Sequence, residues 1–253
     1  MENINTITKI TSKKNNIVLH INNNTYPIDS YYYECILPYV GKVLEVSQML
    51  ELIAFSSSCD ILKKIYPKLF NHSISTFELK QKLKSKEISE DKINLIISFF
   101  KQEGYLKEID FINYYKQIYI NKKGTAAFKR FLESKKISSN AINIALLDYQ
   151  EDEDVALKYA TCYLKNKIGS NKELKLKVCA HLLNKGYSSK TINETMSKLS
   201  FENEKENLKI EIKKYIKKYK NDSNKIISKL ANKGYNVNDI KNNLKKEGMP
   251  YEN

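Results

Sequence analysis

Leu182-Leu183-Asn184-Lys185-Gly186-Tyr187-Ser188 decides the fold, because the same pattern is written four times along the chain. The other copies are Leu83-Lys84-Ser85-Lys86-Glu87-Ile88-Ser89, Leu132-Glu133-Ser134-Lys135-Lys136-Ile137-Ser138 and Leu230-Ala231-Asn232-Lys233-Gly234-Tyr235-Asn236. Leucine to leucine, the steps are 49, 50 and 48 residues. Five residues after each Ile or Tyr stands another isoleucine, Ile93, Ile142, Ile192 or Ile240, so the register carries into the next element. Self-similarity at such a period marks a stacked-repeat architecture. Each copy reads as a helix–turn–helix junction. Leucine closes the apolar stripe of one helix, Gly186 and Gly234 can take the left-handed conformation that ends helices, and Ser89, Ser138, Ser188 and Asn236 cap the next.

Two further signals complete the unit. Ser75-Thr76-Phe77-Glu78 has the spacing of a capping box at the start of the helix that ends in Leu83. Asp110 to Tyr119 carries Phe111, Tyr114, Tyr115 and Ile118 at offsets that place them on one helical face, and Ile61 to Phe70, Val155 to Leu164 and Leu208 to Tyr219 have similar stripes. Three short helices cannot bury such faces alone, so the units are expected to stack into a curved solenoid with the aromatic stripes as core. The first residues differ. Ile17 to Ile21, the turn Asn22-Asn23-Asn24 and Thr25 to Ile28 read as a β-hairpin, with Thr6 to Ile10 as a third strand. Tyr31 to Leu37 and Gln48 to Phe55 read as linking helices, with the Tyr31-Tyr32-Tyr33 run as packing and surface. The expected fold is mainly α: an N-terminal β-containing cap at 1–57, then tandem three-helix repeats at 58–107, 108–150, 151–200 and 201–253.

Lys and Arg total 43 against 29 Asp and Glu, a formal charge of +14 that attracts polyanions. Arg130 is the only arginine, and a lysine- and asparagine-rich composition accounts for the excess equally well without selection for binding. No apolar run approaches the roughly 20 residues of a membrane span, and Met1 to Lys14 lacks the pattern of a secretory signal. A soluble, cytoplasmic protein is expected. Cys35, Cys59, Cys162 and Cys179 form no CxxC pair and read as packing thiols, with Cys179 on the face of Leu182 and Leu183. Catalysis has little to work with: His20, His72 and His181 are the only histidines, and no GxSxG, P-loop, HExxH or paired-carboxylate signature occurs. Glu151-Asp152-Glu153-Asp154 suits a helix N-terminus and follows no calcium-loop pattern. Neither metal nor cofactor is expected.

Gly104-Tyr105-Leu106-Lys107-Glu108-Ile109-Asp110-Phe111, followed by an aromatic helix from Tyr115 to the basic turn Lys122-Lys123-Gly124 and then by Leu132 and Ile137, resembles the RecX family. The resemblance covers about residues 58–200. Family members carry arginines near position 119, where this chain has Tyr119 and places Lys122, Lys123 and Arg130 nearby. What the resemblance implies is a monomeric, non-enzymatic regulator that lies in the groove of a RecA–DNA filament and inhibits its growth or activity. Its partners would be the RecA filament and single- and double-stranded DNA, in recombination, DNA repair and the SOS response.

Lys86, Lys135, Lys185 and Lys233 hold the same place in the four turns. A cation there favours the negative end of the helix dipole, and stacking also turns one lysine per repeat into a row that can follow a polyanion. Arg130 replaces Gln81, Ala180 and Ser228 of the other copies, so the repeat itself does not require it, and its planar fork can grip carboxylate or phosphate at two points. Lys122, Lys123 and Lys129 lie close in sequence. The candidate RecA- and DNA-binding residues are therefore Lys86, Lys122, Lys123, Lys129, Arg130, Lys135, Lys185 and Lys233. Lys213, Lys214, Lys217, Lys218 and Lys220 read as a solvated helix face or a further anionic-partner surface. Two rivals stay open: a nucleic-acid-binding module acting without RecA, and a protein-interaction solenoid whose charge is compositional.

Overall fold

The computed structural model describes residues 5–13, 16–219 and 222–249. Among these, three strands precede thirteen helices: β1 (Ile7–Lys13), β2 (Asn16–Ile21) and β3 (Asn24–Ile28), then α1 (Ser30–Ile36), α2 (Val46–Phe70), α3 (Thr76–Lys84), α4 (Glu90–Gln102), α5 (Glu108–Ile120), α6 (Thr125–Ser134), α7 (Ser139–Leu147), α8 (Glu153–Leu164), α9 (Asn171–Asn184), α10 (Ser189–Lys198), α11 (Glu204–Tyr219), α12 (Ser223–Asn232) and α13 (Val237–Lys246). The chain is mainly helical with a small antiparallel sheet of order β1-β2-β3, as the sequence predicts. Asn22 and Asn23 both adopt positive φ, 49° and 63°, the geometry a tight hairpin needs to match strand twist. The pairing puts Leu19 opposite Tyr26 and Ile21 opposite Asn24, with Leu19 and Ile21 fully buried.

The chain divides into two compact units, Met1–Gln117 with Leu132–Ala145, and Ile118–Phe131 with Leu146–Asn253. In the first, β3 and α4 pack on α2, and Leu52, Phe55, Leu62, Leu69, Leu83, Ile93 and Phe100 form the core. Burying each of these is worth about 1.5–3 kcal/mol relative to exposure. Tyr32 stacks on Phe55 with centroids 4.0 Å apart, while buried Asp29 caps α1 by accepting from the Tyr32 amide at 2.9 Å and from the Tyr66 hydroxyl at 2.6 Å. The tyrosine run is thus packing. Where the sequence suggests separate segments around Ser56-Ser57-Ser58, α2 runs unbroken for 25 residues. Ser57 returns its hydroxyl to the Ala54 carbonyl at 3.0 Å, so a polar run that would favour a turn is satisfied within the helix.

The stripe on α5 is core only in part. Phe111 and Ile112 are buried and Tyr115 is half-buried, donating its hydroxyl to the Ser73 carbonyl at 3.0 Å, but Tyr114 and Ile118 are exposed. The inward face is centred one residue round from the face the sequence suggests. In the second unit, Ala156 and Ala160 of α8 join Val178, Leu182, Tyr187 and Ile192, and a separate cluster gathers Leu208, Ile212, Ile226, Leu230, Tyr235, Ile240 and Leu244. The small alanines let α9 and α10 approach α8 closely. Packing explains only one cysteine fully: Cys59 is buried, Cys179 is half-buried, and Cys35 and Cys162 are exposed as free thiols. Leu183 is exposed too, so the apolar face there is carried by Val178 and Leu182, with Cys179 packed against them. No helix among the described residues is long and apolar enough to cross a membrane.

Candidate functional site

All four turns close in the same way. Glu87, Lys136, Gly186 and Gly234 take positive φ of 58°, 57°, 88° and 97°. The next amide then reaches back to the leucine carbonyl: Ile88 to Leu83 at 3.4 Å, Ile137 to Leu132 at 3.2 Å, Tyr187 to Leu182 at 3.1 Å and Tyr235 to Leu230 at 3.2 Å. This is the six-to-one bond of a Schellman ending, in which a left-handed residue lets the chain satisfy the last helical carbonyls. Two copies achieve it without glycine. The following caps differ. Ser188 accepts from the Thr191 amide and Asn236 from Asn238 and Asp239, whereas Ser89 makes no side-chain cap bond and Ser138 donates its hydroxyl to Glu108 at 2.6 Å.

The lysine ahead of each left-handed residue meets a different fate in each turn. Lys135 is half-buried and donates to Glu78 at 2.6 Å, the same glutamate that closes the capping box with Ser75 at the start of α3. Lys233 pairs with buried Glu211 and lies 3.9 Å from Glu173, near the start of α9. Burial disfavours its charge, but those two carboxylates outweigh burial and raise its pKa. Lys185 has an aromatic partner, its Nζ lying 3.7 Å from the centroid of Tyr159. Lys86 is exposed and has no ion pair among the described residues.

These partnerships follow one rule of stacking. The N-terminus of α3 meets the turn after α6, that of α6 meets the turn after α9, and that of α9 meets the turn after α12. The first contact is the Lys135–Glu78 pair. In the second, the Gly124 amide donates to the Lys185 carbonyl at 3.1 Å and the Ala126 amide to Gly186 at 3.0 Å. In the third, the Ser170 hydroxyl donates to the Lys233 carbonyl. In the second contact the amides that the start of α6 would leave unpaired are thus satisfied by the neighbouring turn.

The second contact gathers positive charge. Lys123 precedes Gly124, and its carbonyl accepts from the Tyr149 hydroxyl at 2.8 Å. His181 stacks on Tyr163 with centroids 4.4 Å apart, and Lys167 lies 5.1 Å over the same ring. Burial pushes the His181 imidazole below its ordinary pKa, and Lys185 and Lys123 push it further. Burial and Lys123 lower Lys185 likewise. Among the described residues no carboxylate forms an ion pair with Lys123, His181 or Lys185, so an anion placed there would relieve the repulsion. Lys122, Lys129 and Arg130 are exposed on the turn and on α6, with no acidic partner among the described residues. His181 was not distinguishable in sequence from a packing histidine; its position one turn before Lys185 was the only signal. On α11, Lys213, Lys214, Lys217 and Lys218 are exposed, and Lys220 lies outside the described residues.

No family model matches this chain. It is 32% identical over 187 residues to "Regulatory protein RecX" of Staphylococcus carnosus (strain TM300), covering 68% of this chain and 70% of that relative. This chain belongs to the RecX family. The RecX of Staphylococcus haemolyticus (strain JCSC1435) is 28% identical over 186 residues, covering 68% of this chain and 70% of the relative. A crystal structure of regulatory protein RecX matches with a TM-score of 0.54 at 18% identity over 76% of this chain and 99% of its own, and so shares the fold. The relatives' names describe regulatory proteins.

The segment that carries the RecX resemblance has a structural task here. Gly104, with φ of 82°, ends α4, Leu106 and Phe111 are buried, and Glu108 accepts from the amide and hydroxyl of Ser138. Two more glutamates play related parts. Glu151 accepts from the Thr125 amide at 2.8 Å and from the Ser188 hydroxyl at 2.7 Å, and Glu204 accepts from the Asn171 amide at 2.7 Å. Burial alone would raise the Glu151 carboxyl, but hydrogen bonds from Thr191, Thr125 and Ser188 prevail and hold it below the usual range. The acidic run 151–154 is a structural pin and helix cap, with Asp152 accepting from the Val155 amide at 3.0 Å.

Proposed function

We propose that this chain is a non-enzymatic, cytoplasmic regulator of RecA recombinase that binds the RecA–DNA filament as a monomer and inhibits its activity, with consequences for recombination, DNA repair and the SOS response. The observation that carries the reading is membership of the RecX family in a chain whose α6 region leaves Lys122, Lys129 and Arg130 exposed and without acidic partners among the described residues. A regulator of this kind needs no reacting group. It needs cations that phosphate or carboxylate can reach, held on a rigid frame. Lys86, Lys123 and Lys185 join that set, while Lys135 and Lys233, already neutralised by glutamates, serve chiefly to hold the repeats at 58–107, 108–150, 151–200 and 201–253 together.

The test is RecA ATPase on single-stranded DNA with this protein added, together with co-sedimentation on filaments. A lowered rate and filament-dependent pelleting are expected. An unchanged rate with no pelleting refutes the reading. The Lys123–His181–Lys185 cluster favours one second reading, a module that binds single- or double-stranded DNA without RecA. It would show as DNA binding with a steep salt dependence and no effect on RecA.

A further inference from the structure

The N-terminal cap reverses the character of the rest of the chain. Between residues 15 and 62 the only Lys or Arg is Lys42, whereas Asp29, Glu34, Glu45, Glu51 and Asp60 are acidic, in a protein of net charge +14. The same stretch exposes the densest apolar surface: Leu37, Tyr39, Val40, Val43, Val46 and Leu50 are 71%, 63%, 60%, 57%, 72% and 52% exposed. Single exposed apolar residues are ordinary, but six within fourteen positions mark an interaction surface. Interleaved with them, Leu44, Gln48 and Leu52 line a cavity of about 290 Å³ whose apolar wall includes Tyr32 and Phe99 and whose carboxylates are Glu51 and Glu103. Lys42 also lines it, but its ammonium donates to the Ile36 carbonyl at 2.7 Å. Glu51 receives one bond, from the Tyr32 hydroxyl at 2.9 Å, and burial raises its pKa, so an incoming cation would find a carboxylate that gains from pairing.

We propose that this face of the cap docks a protein segment carrying lysine or arginine among apolar residues, the cation entering the cavity between Glu51 and Glu103 and the apolar residues covering Leu37, Val46 and Leu50. Charge decides the occupant. Nucleic acid and anionic lipid would meet Glu34, Glu45 and Glu103 with repulsion, and a symmetric dimer would set the same acidic rim against itself. The inference rests on this surface alone and is independent of any action on RecA.

A fluorescently labelled amphipathic helical peptide of leucine and lysine, and its counterpart with glutamate for lysine, serve as probes in anisotropy titrations with the full chain. The lysine peptide is expected to bind and the glutamate peptide to fail. Val46→Ser with Leu50→Ser should weaken the lysine peptide by about tenfold or more, since truncating buried apolar anchors removes the contacts that dominate such interfaces. Glu103→Gln, at an exposed position that no packing depends on, should weaken it about threefold and flatten its salt dependence. Equal affinity of wild type and both variants, or equal binding of the two peptides, overturns the proposal. So does a wild-type dimer in sedimentation equilibrium that the serine pair dissolves.

Discussion

Gly186→Ala should be among the most damaging small changes in this protein, and Lys136→Gly, at the same repeat position, should be mildly stabilising. At Gly186 φ is +88°, where an L side chain costs roughly 1–2 kcal/mol. A Cβ there would also fall 2.6 Å from the Ala127 Cβ and closer still to the Ala127 amide nitrogen, so the start of α6 must move away. That movement stretches the bonds from Gly124 to the Lys185 carbonyl and from Ala126 to the Gly186 carbonyl, worth about 1 kcal/mol each. The sum is a loss of about 3–4 kcal/mol. Lys136 holds φ of 57° on an exposed turn. Glycine would relieve the left-handed strain of about 1–2 kcal/mol but loses about 0.5–1 kcal/mol to unfolded-chain entropy, leaving a gain of up to about 1.5 kcal/mol. Urea denaturation followed by far-UV circular dichroism measures both. A Gly186→Ala loss under 1 kcal/mol, or a destabilised Lys136→Gly, would refute the claim that one left-handed turn, packed on its neighbour, defines each repeat.

Glu151→Gln should cost about 1–2 kcal/mol, because the amide cannot accept from Thr125 and Ser188 as the carboxylate does. Since the folded carboxyl is held below its unfolded pKa of about 4.3, its contribution is complete above that value and fades as pH falls through the folded pKa; urea midpoints of the variant should therefore depend less on pH in the acid range than those of wild type. His181 runs the other way for binding: its pKa is depressed in the free protein, a phosphate would raise it, and affinity for single-stranded DNA should rise about two- to tenfold from pH 7.5 to 5.5. His181→Gln should abolish most of that rise in an anisotropy titration, and an identical pH profile would sink the anion-site reading. Lys135→Ala should lower stability with little effect on filament or DNA binding, whereas Lys86→Ala should do the reverse, read by melting and co-sedimentation side by side.

The repeat was legible because its grammar is local. The leucine, the left-handed position and the following cap are read within seven residues, and all four turns form where the pattern places them. The hairpin was equally local, since Asn22-Asn23 sets its turn. What the sequence misled on depends on neighbours outside the window. The serines of α2 look like a break until Ser57 is seen to bond within its own helix. Tyr114 and Ile118 share a helical face with Phe111, yet the face that packs is centred on Ile112. Among the candidate cations, position in the repeat was readable but pairing was not. Glu78 lies 57 residues from Lys135 and Glu211 lies 22 from Lys233, and nothing in either stretch announces its partner.

A repeat protein carries its own control experiment, because a side chain present in every copy is already explained by what every copy must do. Lys135, Lys185 and Lys233 recur, and each has a structural partner: Glu78 of the preceding repeat for Lys135, Tyr159 of its own repeat for Lys185, and Glu211 of its own repeat with Glu173 of the preceding one for Lys233. Lys86 recurs as well but has no ion pair among the described residues, and the stacking rule says why. Its turn follows α3, and among the described residues no earlier repeat presents a glutamate to it; it lines a groove with Val18, Pro27 and Lys64 instead. Lysine persists at that position through the logic of the turn, and among the described residues only the first copy leaves it without an ionic or aromatic partner. Arg130 is the opposite case, exposed and unmatched by Gln81, Ala180 or Ser228, so no stacking demand accounts for it. Under the proposed function, the residues expected to serve a partner are therefore those the repeat does not require, together with Lys86 and Lys185, which it requires but leaves without a carboxylate partner among the described residues.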